Sequence, residues 1–505
     1  LMLAPDYLDH APDRLVLLFQ QVEDDILRDV ARRISKMETL TPTANWQLWR
    51  YQQTEAVRQD VVKKLARYTG KSEAAIRQLM QEAATRALEA EDQIYYHYDL
   101  EPTPFAENET LQALLNAGYQ QTAGTFSNLT ATTANTVSGQ FEAALDRAHL
   151  KVSTGAFDYK SAIKSAVDSL ADTMKYVTYP TGHKDTLEVA CRRAVLTGVN
   201  QTAGKLQEAR MDEMHVEFVE TSAHGGARPS HAEWQGRQFH RGGAVDYLGK
   251  HYPDFYEATA YGTGGGIYGW NCSHTHWPIF PELGAPPAWT QESLDALNAR
   301  DIEYDGKMYT QYEINQMQRA RERTVRKYKR RYLAEDAAGA DTTQSAVKLR
   351  AARAELADFT ARTGGRVDSA RTMVSGFGRS QSSKATWAAK KQERLDAVNN
   401  DLTELRQSGK IRMTGAAVVP PALPNTLNFE GHSLEQMAKR QISLAQANEI
   451  AEHAILAISQ RNGTQHSYYS DKGFIVIKQD GSIGTVGWLD DGGKQIVEVM
   501  KKHGF

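Results

Sequence analysis

A chain of 505 residues is longer than one hydrophobic core can organise, so several domains are expected, at about 100–150 residues each. Lys plus Arg is 59 against 62 for Asp plus Glu, a formal net charge of -3, which argues against a dedicated duplex-coating protein. The two cysteines, Cys191 and Cys272, are too few for a secreted disulfide scaffold and fit a reducing compartment.

The early apolar run "LVLLF" at 15–19 is far short of a membrane span, and no cationic start with a long apolar core marks a signal peptide. A soluble chain made in the cytosol, with no membrane partner, is expected. Leu15, Leu18, Phe19, Val22, Ile26, Val30 and Ile34 recur at three or four residues, which predicts an amphipathic helix. Residues 42–68 and 73–93 continue in this style, separated by "TGKS", so 1–100 reads as a helical domain. "EPTPF" at 101–105 breaks it, because proline cannot continue a helix.

Residues 101–214 predict a second helical segment, punctuated by "YPTGHKD" at 179–185. "HVEFVET" at 215–221 then alternates as a strand does and opens a Gly/His/Trp-rich α+β module over 215–285. Helices return over 286–415, with the cationic run "RARERTVRKYKRR" at 319–331. The Pro-bearing stretch "GAAVVPPALPN" at 415–425 predicts a boundary, leaving 416–505 as linker plus a small C-terminal domain. There, Ser433 with Gln436 and Ser443 with Gln446 match the S-x-x-Q capping box and predict two helix starts. Ile450, Ala451, Ala454, Ile455 and Ile458 are assigned to the buried face of the second helix, and Gly463 to its C-terminal stop. "HSYYS", "GFIVIK" and "SIGTVGW" read as strands, the last two joined through Asp480-Gly481, and a helix follows at 492–502. The predicted fold is multidomain and mainly α, with a helical body, a loop-rich α+β central module and a C-terminal α+β domain of helices followed by an antiparallel sheet.

Chemistry concentrates in two stretches of the central module, "TSAHGGARPSHAEWQGRQF" at 221–239 and "YGTGGGIYGWNCSHTHWPIFP" at 261–281. They hold His224, His231, Trp234, Gly236, Cys272, His274 and His276, and three explanations stand side by side. The side chains could hydrogen-bond an irregular loop core. His231, Cys272 and His274 could ligate a structural zinc, although the spacing is not that of a zinc finger or ribbon. Cys272 could be a nucleophile with a histidine base, although no third, orienting group can be picked out. "GTGGG" at 262–266 lacks the Lys-Ser/Thr of a phosphate loop, which argues against an ATP motor.

These two stretches, followed by "SGFGRSQSSKATWAAK" at 375–390, resemble the phage minor capsid protein 2 family, related to the Mu F-like head morphogenesis proteins. The resemblance spans roughly 1–415 and implies a virion component at the portal vertex or head interior, present in the host cytoplasm during assembly. Its implied partners are portal and major capsid proteins. Related head proteins often carry Cys-x-Cys where this chain has Cys272-Ser273-His274. Long helices with little concentrated chemistry suit such a subunit, whose binding energy comes from extended surfaces.

The run at 319–331 has two readings. Arg319, Arg323, Lys327 and Arg330 fall near one helix face that could contact packaged DNA through phosphates, or the helix is solvated or faces protein. The C-terminal stretch resembles the barnase, EndoU, colicin E5/D and RelE-like nuclease group. That resemblance implies metal-independent RNA cleavage through the ribose 2′-OH. His432 would be base or acid, Arg440 and Lys472 charge stabilisers, and Tyr469, Ser470 and Thr485 hydrogen-bonding groups. The leading function is thus a structural head protein with an RNase-like tail and no cofactor, its central cluster hydrogen-bonding a loop core, with a structural zinc as the alternative for that cluster. The alternative is a toxin-like RNase whose front is a carrier. A stand-alone zinc enzyme ranks last, since no H-E-x-x-H motif is present.

Overall fold

The computed structural model describes residues 3–37, 44–153, 158–173, 177–179, 182–284 and 286–505. It is mainly helical and falls into two compact units, one ending at Ser382 and the other running Ser383–Phe505. No helix among the described residues is long and apolar enough to cross a membrane.

The body of the first unit is built from α1 (Pro5–His10), α2 (Asp13–Ser35), α3 (Ala44–His97), α4 (Glu109–Ser153), α5 (Tyr159–Thr173) and α6 (Leu187–Glu213). A short hairpin, β1 (Val177–Thr178) with β2 (Lys184–Asp185), precedes α6. The periodic residues of α2, from Leu15 and Phe19 to Val30 and Ile34, are buried in one continuous core with α3, α4 and α6. α4 lies along α3, α5 and α6 and forms the middle of the bundle. One expectation fails here. Residues 69–72 do not divide two helices, because α3 is a single helix of 54 residues. "TGKS" contains no proline, and one mid-helix glycine costs only about 1 kcal/mol against alanine, which burial of Leu65, Ile76 and Met80 on either side offsets. Residues 42–43 and 180–181 of the predicted segments lie outside the described residues.

The central module follows as β3 (Phe218–Thr221), α7 (Pro229–Ala232), β4 (Gln238–His240), β5 (Val245–Tyr247), β6 (Lys250–Tyr252), α8 (Phe255–Ala258) and β7 (His276–Pro278). β3 is the middle strand of an antiparallel sheet ordered β4-β3-β7, and β5 and β6 form a separate hairpin. The module's glycines answer crowding. A Cβ on Gly266 would lie 2.0 Å from the Ala260 carbonyl oxygen, and one on Gly269 would lie 2.5 Å from that of Gly264. "GTGGGIYG" is therefore a tightly wound turn.

Next come α9 (Gln291–Leu297), the hairpin β8 (Arg300–Tyr304) and β9 (Lys307–Thr310), α10 (Gln311–Ala337), α11 (Thr343–Thr363) and α12 (Ser369–Thr372). The β8–β9 hairpin replaces part of an expected helical stretch. Thr310 and Glu313 close a capping box that starts α10.

In the second unit, most of α13 (Arg379–Gln407) leads to β10 (Ala416–Val418), α14 (His432–Lys439), α15 (Leu444–Glu452), β11 (Leu456–Gln460), β12 (Gln465–Tyr469), β13 (Gly473–Lys478), β14 (Ile483–Trp488) and α16 (Asp491–Lys502). The five strands pair antiparallel in chain order, and helices cover both faces of the sheet. Met437, Ile442, Ala447 and Ile450 pack on the face that carries Tyr468, Ile475 and Val486. Leu395, Val398 and Leu402 of α13, with Ile496, Val497 and Met500 of α16, pack on the face that carries Leu456, Ile458 and Tyr469. The unit thus needs α13 and starts at 383, upstream of the expected boundary at 416.

Ser443 and Gln446 form the predicted capping box. Ser433 does not: α14 starts one residue earlier after Gly431, and the Ser433 hydroxyl bonds the Glu430 carbonyl at 2.9 Å. Ile458 belongs to β11, and Gly463 sits in the turn between β11 and β12 at φ +85°.

Candidate functional site

α7, the loop before β7 and helix α6 bring the three predicted metal ligands together. His231, Cys272 and His274 are all buried, and one donor atom from each lies within 4.8 Å of the others. Among the described residues this is the one such His/Cys/Asp/Glu group. The Nδ1 atoms of His231 and His274 are 3.3 Å apart, and Cys272 Sγ is 3.7 Å from His274 Nδ1. Asn200 of α6 donates to the Cys272 carbonyl at 2.9 Å, which anchors the loop. Trp234 closes the site from one side, its ring centroid 4.6 Å from His231 and 4.8 Å from His274.

Burial governs the electrostatics. It lowers the His231 pKa to about 4, with the charges of Arg228 and His224 adding to the effect, and holds His274 well below the ordinary imidazole range. Burial raises the Cys272 thiol. A buried thiol with a raised pKa is a poor nucleophile at neutral pH, so the arrangement does not favour the catalytic-cysteine reading.

His276 lies outside this group and joins a second network that the sequence did not reveal. Its Nε2 is 2.9 Å from Glu208 Oε1, while Arg241 and the Tyr256 hydroxyl meet Glu208 Oε2 at 2.8 and 2.6 Å. Burial alone would raise Glu208, but the hydrogen bond and charge of His276, with Arg241, bring it down to about 2. Glu208 comes from α6, so no local motif around His276 could have pointed to it. A surface cleft of about 540 Å³ lined by Asp29, Arg32, Arg33, Lys36, Trp49 and Gln53 contains none of the predicted site residues.

Five of the eight cations in the run at 319–331 pair with carboxylates of the first unit. Arg330 reaches Asp24 at 3.1 Å and Glu188 at 3.0 Å, and Arg326 meets Glu188 at 2.9 Å. Arg331 pairs with Asp168 at 2.6 Å, Lys327 with Asp172 at 3.4 Å and Arg321 with Glu355 at 3.2 Å. Arg323 is exposed. The face expected to meet DNA phosphates is therefore split, with Arg330 turned into the protein.

In the C-terminal unit, Arg440 and Thr485 of the predicted set meet side chain to side chain. Arg440 Nη1 donates to Thr485 Oγ1 at 3.2 Å and to the Val486 carbonyl. His432 is exposed at the opposite end of α14, and eight residues of helix separate it from Arg440 by about 12 Å. Tyr469 is buried in the apolar core, its hydroxyl pKa raised by burial. Ser470 is buried and accepts from the backbone N–H groups of Lys472 and Gly473 in the β12–β13 turn. Lys472 pairs with Glu449 at 2.6 Å. Tyr469 and Ser470 thus have structural places. Sequence reading missed Trp488, whose indole N–H donates to the Arg440 carbonyl at 3.0 Å and whose ring is 40% exposed. The only sequence signal for it was an aromatic at the end of an edge strand.

No curated protein and no solved structure matches the chain. The family model described as phage minor capsid protein 2 matches residues 3–361, which takes in the helical body, the whole His231–Cys272–His274 module and most of α11. The chain belongs to the phage minor capsid protein 2 family, a family of phage structural proteins.

Proposed function

We propose that this protein is a minor component of a phage head, sited at the portal vertex or head interior, whose C-terminal unit is an appended RNA-directed module. The observation that carries this reading is where the family match stops. It ends at residue 361, and from 383 the chain has a sheet and apolar core of its own. The front is then the particle-building part, with portal and major capsid proteins as partners, and the tail is cargo or effector. Peptide mass spectrometry of purified particles from the producing host should recover peptides from both units. Particles with good coverage of other head proteins and none of this chain would overturn the reading.

Arg440 and Trp488 support an RNA-directed tail. The remaining Arg440 N–H groups have no hydrogen-bond partner among the described residues, so they can meet a phosphate, and the exposed indole of Trp488, held on the Arg440 backbone carbonyl, offers a stacking surface for a base. Thr485 holds the guanidinium in place. In an RNase, that cation would stabilise the charge that builds on phosphorus, and its loss would slow cleavage roughly 100-fold. The test is expression of 383–505, which includes α13 because the core requires it. RNA should be degraded by the unaltered unit and largely spared by Arg440→Ala, with His432→Ala reporting whether the distant histidine takes part. A folded unit that cleaves no RNA would leave the tail as a binding module.

A further inference from the structure

The hydrogen bonds around the buried histidine pair determine which ring nitrogens carry protons. His231 Nε2 lies 2.8 Å from the Gly265 carbonyl oxygen, which can only accept, so this nitrogen bears the proton. His274 Nε2 lies 3.1 Å from Gln235 Oε1. The orientation of that amide is set independently: Oε1 also accepts the His224 backbone N–H at 3.2 Å, and Nε2 donates to Asn298 Oδ1 at 3.2 Å. His274 Nε2 is therefore protonated as well. Both Nδ1 atoms then carry lone pairs, and they face each other at 3.3 Å with no hydrogen between them. Cys272 Sγ can offer at most one proton, to His274 Nδ1 at 3.7 Å, which leaves His231 Nδ1 opposed by another lone pair. Two buried lone pairs pointed at one another repel unless a cation lies between them.

We infer that His231 Nδ1, His274 Nδ1 and Cys272 Sγ bind one divalent transition-metal ion of zinc type, which fastens α7 to the loop ahead of β7. Bond lengths of about 2.0–2.1 Å to nitrogen and 2.3 Å to sulfur, in a tetrahedron, place nitrogens about 3.3 Å apart and nitrogen from sulfur about 3.6 Å. His274 Nδ1 lies 3.3 Å from His231 Nδ1 and 3.7 Å from Cys272 Sγ, and all three donors lie within 4.8 Å of one another, so a small closure of His231 toward the sulfur completes the set. The surroundings are those of a ligand set. Each imidazole is oriented by an acceptor on its far nitrogen, as metal-bound histidines are. The sulfur accepts the His274 backbone N–H at 3.4 Å, which favours thiolate. The neighbouring His224 ring lies tilted against His274 with centroids 4.3 Å apart and has a buried Nε2 with no hydrogen-bond partner, so it is the side chain best placed for the fourth position. The site does not depend on where the protein sits in a particle or on what the tail does.

The experiment uses the full chain, purified without chelators or metal-affinity resin. Elemental analysis should find about one zinc per chain, and about one also in His251→Ala, an exposed histidine remote in role, while His231→Ala and Cys272→Ala should fall below about 0.2. A variant that loses metal because it misfolds is guarded against by cobalt exchange and by Cys272→His. Cobalt in the unaltered chain should show tetrahedral visible bands and a thiolate-to-metal charge-transfer band. Cys272→His should keep the metal and the visible bands but lose the charge-transfer band. A folded chain with no stoichiometric transition metal and no cobalt spectrum would overturn the inference, as would a charge-transfer band that persists in Cys272→His.

Discussion

Arg330→Ala is expected to destabilise the helical body by about 3–5 kcal/mol, enough to unfold it at growth temperature or to halve its soluble yield. The guanidinium serves three carboxylates from two other helices: Glu23 and Asp24 of α2, and Glu188 at the start of α6. All three are buried, and Arg326, bound to Glu188 at 2.9 Å, is a cation that stays beside them once Arg330 is gone. Gln20 and the Ser375 backbone N–H give Glu188 and Asp24 one hydrogen bond each, at 2.7 and 2.6 Å, which does not replace a charge. Arg323→Ala on the same helix removes an exposed cation and should change stability by less than about 0.5 kcal/mol. Thermal unfolding of the two variants checks both figures. Equal, small effects would show that the network contributes little to stability.

The same cluster should make the body less stable as pH rises from 5 to 8. Burial, reinforced by the charges of Glu188 and Asp24, pushes Glu23 up to about 8 from an ordinary 4.5 despite Arg330. Burial likewise raises Asp24 to about 6 and, in a separate network with Lys164 and Arg331, Glu335 to about 7. An acid whose folded pKa exceeds its unfolded value keeps its proton in the fold after the open chain has released it. Its contribution is full below about 4.5 and is lost as pH climbs through 8. Glu23→Gln supplies the neutral form permanently. Calorimetry of the full chain, with the second unit's transition assigned from 383–505 alone, should show the body's melting temperature falling from pH 5 to 8 and a shallower fall in Glu23→Gln. At pH 8 the variant should be more stable by about 1–2 kcal/mol. A melting temperature that rises across this interval in the unaltered chain would refute the assignment.

Elements whose signals are local were legible in the sequence. The three-four periodicity of α2, the proline break before α4, the Ser443 capping box and the Asp480-Gly481 hairpin all rest on residues within one turn or one helix face. The metal-type cluster was legible for a similar reason: Cys272 and His274 are two residues apart, and His231 stood out by composition. Elements decided by distant partners were not. Ile455 and Ile458 continue the helical spacing of α15, yet antiparallel pairing with β12 draws Ile458 into a strand. The run at 319–331 looks like a surface for polyanions until carboxylates 142 to 307 residues away are folded against it, since Glu188 and Glu23 meet Arg330. The tail's proposed chemistry was read too broadly. "YYS" supplied two polar side chains to a sequence argument, but strand alternation and a tight turn turn them inward.

A β-sheet sandwiched between helix pairs has no bare platform on which a nucleic acid could lie flat. In the second unit only its rim is left, and along β14 the Arg440 side chain already occupies the Val486 carbonyl, which blunts the exposed backbone against unwanted strand pairing. Under the proposed role, an RNA would reach that rim end-on or as a flexible loop. Rigid double helices would be poor ligands, so selectivity for unpaired RNA would follow from the packing of the unit itself.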